Sequence, residues 1–285
     1  MRIALTGASG RLGQVVTTHL RAVGHEVLAL DVVGAREPGF LQVDLTDYGQ
    51  VIDALGGEGD RRAGPAVDAV VHLGAIPAPG LRSDVATFRN NILSTFDVLW
   101  AAVRLGVRRI VMASSETVLG LPFDEPPPVL PVDEDIPARP ESVYSLVKHL
   151  EEQLAVELVR WHPDLSITAL RFSNVMLPED YAGFPAFDAD PMLRKWNLWS
   201  YIDARDGASA VERALAVAPA GFDRFIIAAA DTVMTRPNAE LVAAVFPEVP
   251  VRGDLGEHDT LLSIAKARRL LGWTPVHSWR DASAR

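Results

Sequence analysis

The apolar run Arg2–Thr6 passes without a break into Gly7-Ala8-Ser9-Gly10-Arg11-Leu12-Gly13. A helical pattern follows, with Leu12, Val15, Val16 and Leu20 on one face and Gly24 as the stop. A strand, a glycine turn and a helix in that order leave few folds open. Gly7 permits the tight turn, Gly10 lets backbone approach a pyrophosphate on the helix N-terminus, and Gly13 lets helix and strand pack closely. The spacing is Gly-x-x-Gly-x-x-Gly rather than Gly-x-Gly-x-x-Gly, and a plain βα turn is the bland alternative. Ser9, Arg11 and Leu12 join the glycines as candidate contacts to a dinucleotide.

Further strands are expected at Glu26–Leu30, Phe40–Val43, Val67–Leu73, Arg109–Ala113 and Leu165–Arg171. They alternate with helices at Asp47–Leu55, Asp84–Leu105 and Val143–Trp161. That alternation predicts an α/β fold, a Rossmann-type doubly wound parallel sheet. Residues 1–170 are expected to form the nucleotide-binding domain. Residues 171–285 are expected to form a small mixed α/β substrate region partly woven into it, with a strand at Phe225–Ala229 and a helix at Ser263–Leu271. Such sheets bind ligands at the carboxyl ends of their strands, and Gly7, Asp31, Asp44, Gly74 and Ser115 all fall there. Asp31 can accept hydrogen bonds from the adenosine ribose and repel a 2′-phosphate, which favours NAD over NADP. Arg36 is the counter-indication, since an arginine there could accommodate the phosphate. The run Gly56–Gly64 reads as a surface loop too short to divide domains.

Composition narrows the partners. Apolar residues are 48% of the chain and charged residues 22%, enough for a sizeable core. The net charge of −10 argues against nucleic acid or an anionic membrane as the main partner. With no cysteine, disulfides, zinc-thiolate sites and thiol nucleophiles are excluded, and none of the seven histidines forms a metal pair at helical spacing. His72 is expected to be structural. No apolar run reaches the length of about 18 residues that a membrane span needs, and the start of the chain does not read as a signal peptide. A soluble cytoplasmic protein without metal is the expectation.

Tyr144 and Lys148 are four residues apart, so a helix over Val143–Trp161 stacks them on one face. An ammonium beside a phenol favours the phenolate, and the Tyr144 pKa is therefore expected to fall. That would make Tyr144 a proton donor and acceptor. A solvated lysine beside a half-buried tyrosine is the bland alternative. Between the end of the fifth strand and this helix, Leu121–Glu141 carries seven prolines and six acids. It reads equally as a rigid rim over the site or an ordinary surface excursion.

Taken in order, Thr6–Gly13, Asp31, Asp44-Leu45, His72-Leu73-Gly74-Ala75, Asn91, Ser114–Gly120, Tyr144–Lys148 and Leu170–Val175 resemble the extended short-chain dehydrogenase/reductase family. This is the NAD-dependent epimerase/dehydratase group, and the resemblance covers roughly residues 1–210. It implies NAD as cofactor, Ser115 rather than Ser114 as the catalytic serine, Tyr144 as acid/base, and Lys148 as its partner that also holds the nicotinamide ribose, with Tyr144 and Lys148 both in contact with the cofactor. It also implies cofactor contacts from Asp44, Leu45, Leu73, Gly74, Ala75 and Asn91, and substrate contacts from Pro77, Ser115, Glu116 and Asn174. Two departures stand near the substrate side: Leu119 replaces the usual tyrosine, and Met176-Leu177 replaces the usual Tyr-Gly. A homodimer through the helices at 84–105 and 143–161 is a further implication. Asn174 and Tyr201 are only 27 positions apart, and this short stretch resembles uronate dehydrogenases. The expected activity is oxidation of a hydroxyl of a sugar or sugar acid. A nucleotide-sugar epimerase or dehydratase and a non-catalytic nucleotide sensor are the alternatives. Arg171, Arg194 and Arg205 are candidates for a substrate carboxylate.

Overall fold

Ile3 and Leu5 face one apolar core and Ala4 faces another, the period-two signature of a strand buried on both sides. The computed structural model describes residues 1–34, 38–57, 67–218 and 220–283. Arg36 and most of the Gly56–Gly64 run lie outside the described residues. The first half runs β1 (Arg2–Thr6), α1 (Arg11–Ala22), β2 (Glu26–Asp31), β3 (Phe40–Gln42), α2 (Tyr48–Gly56), β4 (Ala69–His72), α3 (Asp84–Leu105), β5 (Arg109–Ser115) and α4 (Val143–Trp161). Then come β6 (Ser166–Phe172), β7 (Val175–Met176), β8 (Ile202–Asp203), α5 (Ala204–Val217), β9 (Gly221–Ile227), α6 (Asn238–Val245), α7 (Ala265–Leu271) and α8 (Trp279–Ser283).

Seven strands form one parallel sheet in the order β3-β2-β1-β4-β5-β6-β9. The order reverses between β1 and β4, which opens a crevice at their carboxyl ends. Helices α2, α3 and α4 cover one face through Val51, Val98, Ala102 and Leu158. The other face is covered by α1 and α5 through Val16, Leu20, Val211 and Leu215. The fold is the expected Rossmann-type sheet. β5 runs two residues further than its apolar run and ends on Ser114 and Ser115. The chain beyond residue 171 supplies β9, which pairs with β6 at the sheet's edge. Among the described residues no helix is long and apolar enough to cross a membrane.

The proline-rich run is tied to the C-terminal part of the chain. Leu130 bridges to Val251 and Val132 to Leu262. The buried Glu134 accepts the Ile226 backbone N–H at 2.8 Å. Glu134 therefore braces β9, and no residue of Leu121–Glu141 lines either of the clefts described below.

Candidate functional site

Two clefts meet over the crevice between β1 and β4 and share Gly7, Leu73 and Ala75. The smaller, about 330 Å³, is lined by Asp31, Asp44, Leu45 and Gly74. The larger, about 470 Å³, is lined by Arg11, Leu12, Pro77, Glu116, Tyr144, Lys148 and Asn174.

The glycine turn fits a dinucleotide. Gly7 has φ +71°, and a Cβ there would come within 2.7 Å of the Gly74 nitrogen. A Cβ on Gly13 would lie 2.0 Å from the Gly7 carbonyl oxygen. Only glycine at both positions lets β1, α1 and the Gly74 segment close up. No side chain caps the N-terminus of α1, so its first N–H groups are open to an anion. Asp31 accepts the Ser9 N–H at 2.9 Å and the Val32 N–H at 2.7 Å. It thus braces the turn from the end of β2 as well as facing the cleft.

On the other side of the crevice, a reciprocal cap fixes the start of α4. Ser145 donates its N–H to the Ser142 hydroxyl at 3.1 Å, and Ser142 donates its N–H to the Ser145 hydroxyl at 2.8 Å. That frame puts Tyr144 in the first turn and Lys148 one turn on, both buried on the cleft side. The Lys148 ammonium donates to the Ala113 carbonyl at 3.0 Å and to the Glu151 carboxylate at 2.8 Å. The Tyr144 phenol does not titrate as the sequence suggested. Burial pushes its pKa up, and the pull of Lys148 and a hydrogen bond from Ser115 do not overcome burial together with the Glu151 charge. Lys148 itself is pushed down by burial, but Glu151 and Tyr144 outweigh that and raise it.

The two adjacent serines part company here. Ser114 donates to the buried Glu152 at 2.6 Å, and Glu152 also receives Arg171 through Nε at 2.8 Å and Nη2 at 2.7 Å. Ser115 instead accepts from the Thr117 backbone and hydroxyl, at 3.2 and 3.0 Å, and stands beside the Tyr144 phenol. Next to it, Glu116 is buried and lines the larger cleft. Burial pushes its carboxyl up to about 7 against the pull of Ser173, Asn197 and Arg194. Oε1 accepts Asn197 Nδ2 at 3.2 Å, and Oε2 has no hydrogen-bond partner among the described residues.

Some expected contacts lie elsewhere. Asn91 binds the Ile76 backbone with both ends of its amide, at 2.8 and 3.0 Å, and lines neither cleft. It holds the Gly74–Ile76 segment in place instead. Ser9, Gly10 and Ser115 also line neither cleft, although Gly10 is exposed and only Ser115 is buried. Arg171 is taken up by Glu152, and Arg205 by Asp203 at 2.8 and 2.7 Å. Neither faces the larger cleft. Arg194 is buried over the Phe187 and Trp196 rings with Nε unpartnered, next to Glu116. Thr117 and Trp196 line the cleft and were not anticipated. Thr117 could have been found, since it is two residues after Ser115 in the same Ser114–Gly120 segment. Trp196 has no such marker.

A model of the NAD dependent epimerase/dehydratase family matches residues 3–221. Uronate dehydrogenase of Pseudomonas syringae pv. tomato is 32% identical over 154 residues, 54% of this chain and 52% of its own. UDP-glucose 4-epimerase of Bacillus subtilis is 26% identical over 190 residues, 61% of this chain and 52% of its own. These alignments span about half the length of both relatives. Among solved structures, a UDP-galactose 4-epimerase is 29% identical with a TM-score of 0.69, covering 99% of this chain and 96% of that one. A short-chain dehydrogenase/reductase superfamily protein from Agrobacterium tumefaciens, with bound NAD, is 25% identical with a TM-score of 0.72, covering 98% and 94%. The chain belongs to the NAD dependent epimerase/dehydratase family. NAD is its cofactor, and the glycine turn, the uncapped α1 and Asp31 form a cradle that fits it.

Proposed function

We propose that the protein is a NAD-dependent dehydrogenase that oxidises a hydroxyl of a sugar acid or free sugar. Tyr144, as phenolate, takes the hydroxyl proton. Ser115 donates a hydrogen bond to the same oxygen and holds it toward the phenol. Lys148 stands one turn behind and favours the phenolate electrostatically. NAD⁺, when bound, supplies the hydride acceptor, so the alcohol loses a hydride and a proton and becomes a carbonyl. Glu116 and Asn174 line the substrate end.

The observation that carries the substrate class is the shortage of free cations in the larger cleft. Among its described lining residues only Arg11 and Lys148 are cationic. Arg11 is paired with Asp180 at 2.7 and 3.2 Å, and Lys148 with Glu151. A nucleotide diphosphate calls for several donors or cations around it. The short stretch between Asn174 and Tyr201 turns Tyr181 and Phe184 inward onto Tyr201. A smaller substrate is the better match. Of the candidate arginines, Arg194 is the one beside the cleft residues Glu116 and Trp196.

A nucleotide-sugar epimerase is the second reading, favoured by the 29% identity to a UDP-galactose 4-epimerase across nearly the whole chain. Its first half-reaction uses the same groups. The test is to incubate the protein with NAD⁺ and a panel of hexuronates, aldoses, and UDP- and dTDP-sugars, following NADH absorbance and sugar interconversion together. A hexuronate or aldose should yield NADH, and nucleotide sugars should neither react nor compete. Micromolar binding of a nucleotide sugar with turnover would overturn the first reading for the second.

A further inference from the structure

Glu151 is fully buried one turn from Lys148, on the side away from the cleft mouth, and the proposed reaction gives it no task. Two of the ammonium's three donors are fixed, one on the Ala113 carbonyl and one on Glu151. The third is left for the cleft. Behind Glu151 runs a line of buried polar groups that ends at the glycine turn. Gly74 donates its N–H to the Thr6 hydroxyl at 3.2 Å, which leaves the Thr6 proton for His72 Nδ1 at 2.8 Å. His72 is neutral, because burial and then Lys148 push its pKa down to about 3. With Nδ1 accepting, its proton is on Nε2 and goes to the Thr95 hydroxyl at 3.0 Å. Burial pushes the Glu151 carboxyl above its ordinary range, against the pull of Lys148 and then of the neighbouring Thr95 hydroxyl. Each donor as far as His72 Nε2 finds an acceptor, and Glu151 Oε1, which has no hydrogen-bond partner among the described residues, is the acceptor an ionised Glu151 offers to the Thr95 proton. A protonated Glu151 would face Thr95 with a second donor and leave the Thr95 proton without a destination.

We propose that Glu151 is a positioning residue: its carboxylate holds the Lys148 ammonium in one direction and offsets its field at Tyr144, so that the phenol keeps its proton until a further positive charge is bound beside it. This rests on the reading of Tyr144 and Lys148 as the acid/base pair. The other charged groups around the pair fit the same account. Glu152 is engaged by Arg171 and Ser114, Glu116 faces Tyr144 from the end of β5, and His72 on β4 is neutral. Glu151 is thus the one carboxylate in direct contact with Lys148 among the described residues.

The test reads the phenol itself and needs neither substrate nor turnover, so failure of the dehydrogenase reading would leave its result intact. The chain has four tyrosines. With tyrosine Cζ labelled by ¹³C, Tyr144 is assigned by the signal missing in Tyr144→Phe. Its titration is then followed in the full chain over the pH range in which circular dichroism shows the fold intact. Glu151→Gln keeps an acceptor for Lys148 and removes only the charge. It should lower the Tyr144 midpoint by about one pH unit. The double variant Glu151→Gln/Lys148→Met, which removes both charges, should return the midpoint to within about half a unit of native, since the two fields offset one another at the phenol. An unchanged or raised midpoint in Glu151→Gln would overturn the proposal. So would a midpoint a unit or more above native in the double variant, which would show a lysine whose field Glu151 does not oppose. If Glu151→Gln does not fold, the double variant, which leaves no buried charge unpaired, decides the question alone.

Discussion

Ser114 gives its hydroxyl to Glu152 at 2.6 Å, within the same buried group that receives Arg171. The neighbouring Ser115 is left beside Tyr144. Ser114→Ala should therefore cost stability, about 1.5–3 kcal/mol for a lost hydrogen bond to a buried charge, while KM and kcat stay near native. Ser115→Ala should do the reverse, lowering kcat by about a hundredfold with little loss of stability. Urea unfolding and steady-state kinetics on both variants check this. A catalytic loss confined to Ser114→Ala would reverse the assignment.

NAD should bind at least about tenfold more tightly than NADP, a difference of about 1.4 kcal/mol. Asp31 faces the smaller cleft and its charge opposes a 2′-phosphate. Asp31→Ser should narrow the ratio. It should also loosen the turn, because the Ser9 N–H loses its acceptor. Calorimetric titration with both nucleotides measures the ratio. Equal or tighter NADP binding by the native chain would mean that another group, Arg36 among the candidates, outweighs Asp31.

What could be read from the chain was what depends on backbone. Gly7 and Gly13 are legible because no other residue fits where they stand, and strand ends are legible because apolar runs stop there. The Tyr144–Lys148 pairing follows from helical spacing alone. The phenol's pKa does not. Its direction is set by burial and by Glu151, an acid that in the sequence looks like any other helical glutamate. Asn91 was read as a cofactor contact, yet the backbone it meets, Ile76, is remote in sequence and shows only in three dimensions. Arg171 looked free for a carboxylate because Glu152 lies on another element. The proline-rich run gave no sign that its Glu134 would serve β9.

Glu116 provides a pH signature. Its carboxyl is raised from 4.5 to about 7 in the folded chain. The folded state then binds more protons than the unfolded one between those values, so stability is highest below the lower and falls as pH rises through the higher. Glu116→Gln removes that dependence. The variant's stability relative to the native chain should grow between about pH 5 and pH 8, on the order of 2 kcal/mol. Denaturant unfolding at the two pH values checks it. A constant difference would show that Glu116 is ionised throughout.

A homodimer through α3 and α4 is the expectation that the family resemblance implies, and Leu93 and Phe96 on one helix and Leu146, Val156 and Trp161 on the other are the exposed apolar side chains such an interface would cover. Light scattering should give twice the chain mass, and Phe96→Glu should shift it toward the monomer. A native monomer at micromolar concentration would contradict the interface.

The central claim is that the Tyr144 hydroxyl moves the substrate proton while the rest of the cradle holds NAD. Tyr144→Phe keeps the ring and removes only that hydroxyl. NADH formation from the hexuronate or aldose turned over by the native chain, measured beside a calorimetric NAD⁺ titration of the same preparation, tests this most directly. The account predicts a loss of kcat of at least about a hundredfold, with NAD⁺ affinity within about threefold of native. Turnover near native in Tyr144→Phe, with NAD⁺ still bound, would contradict it.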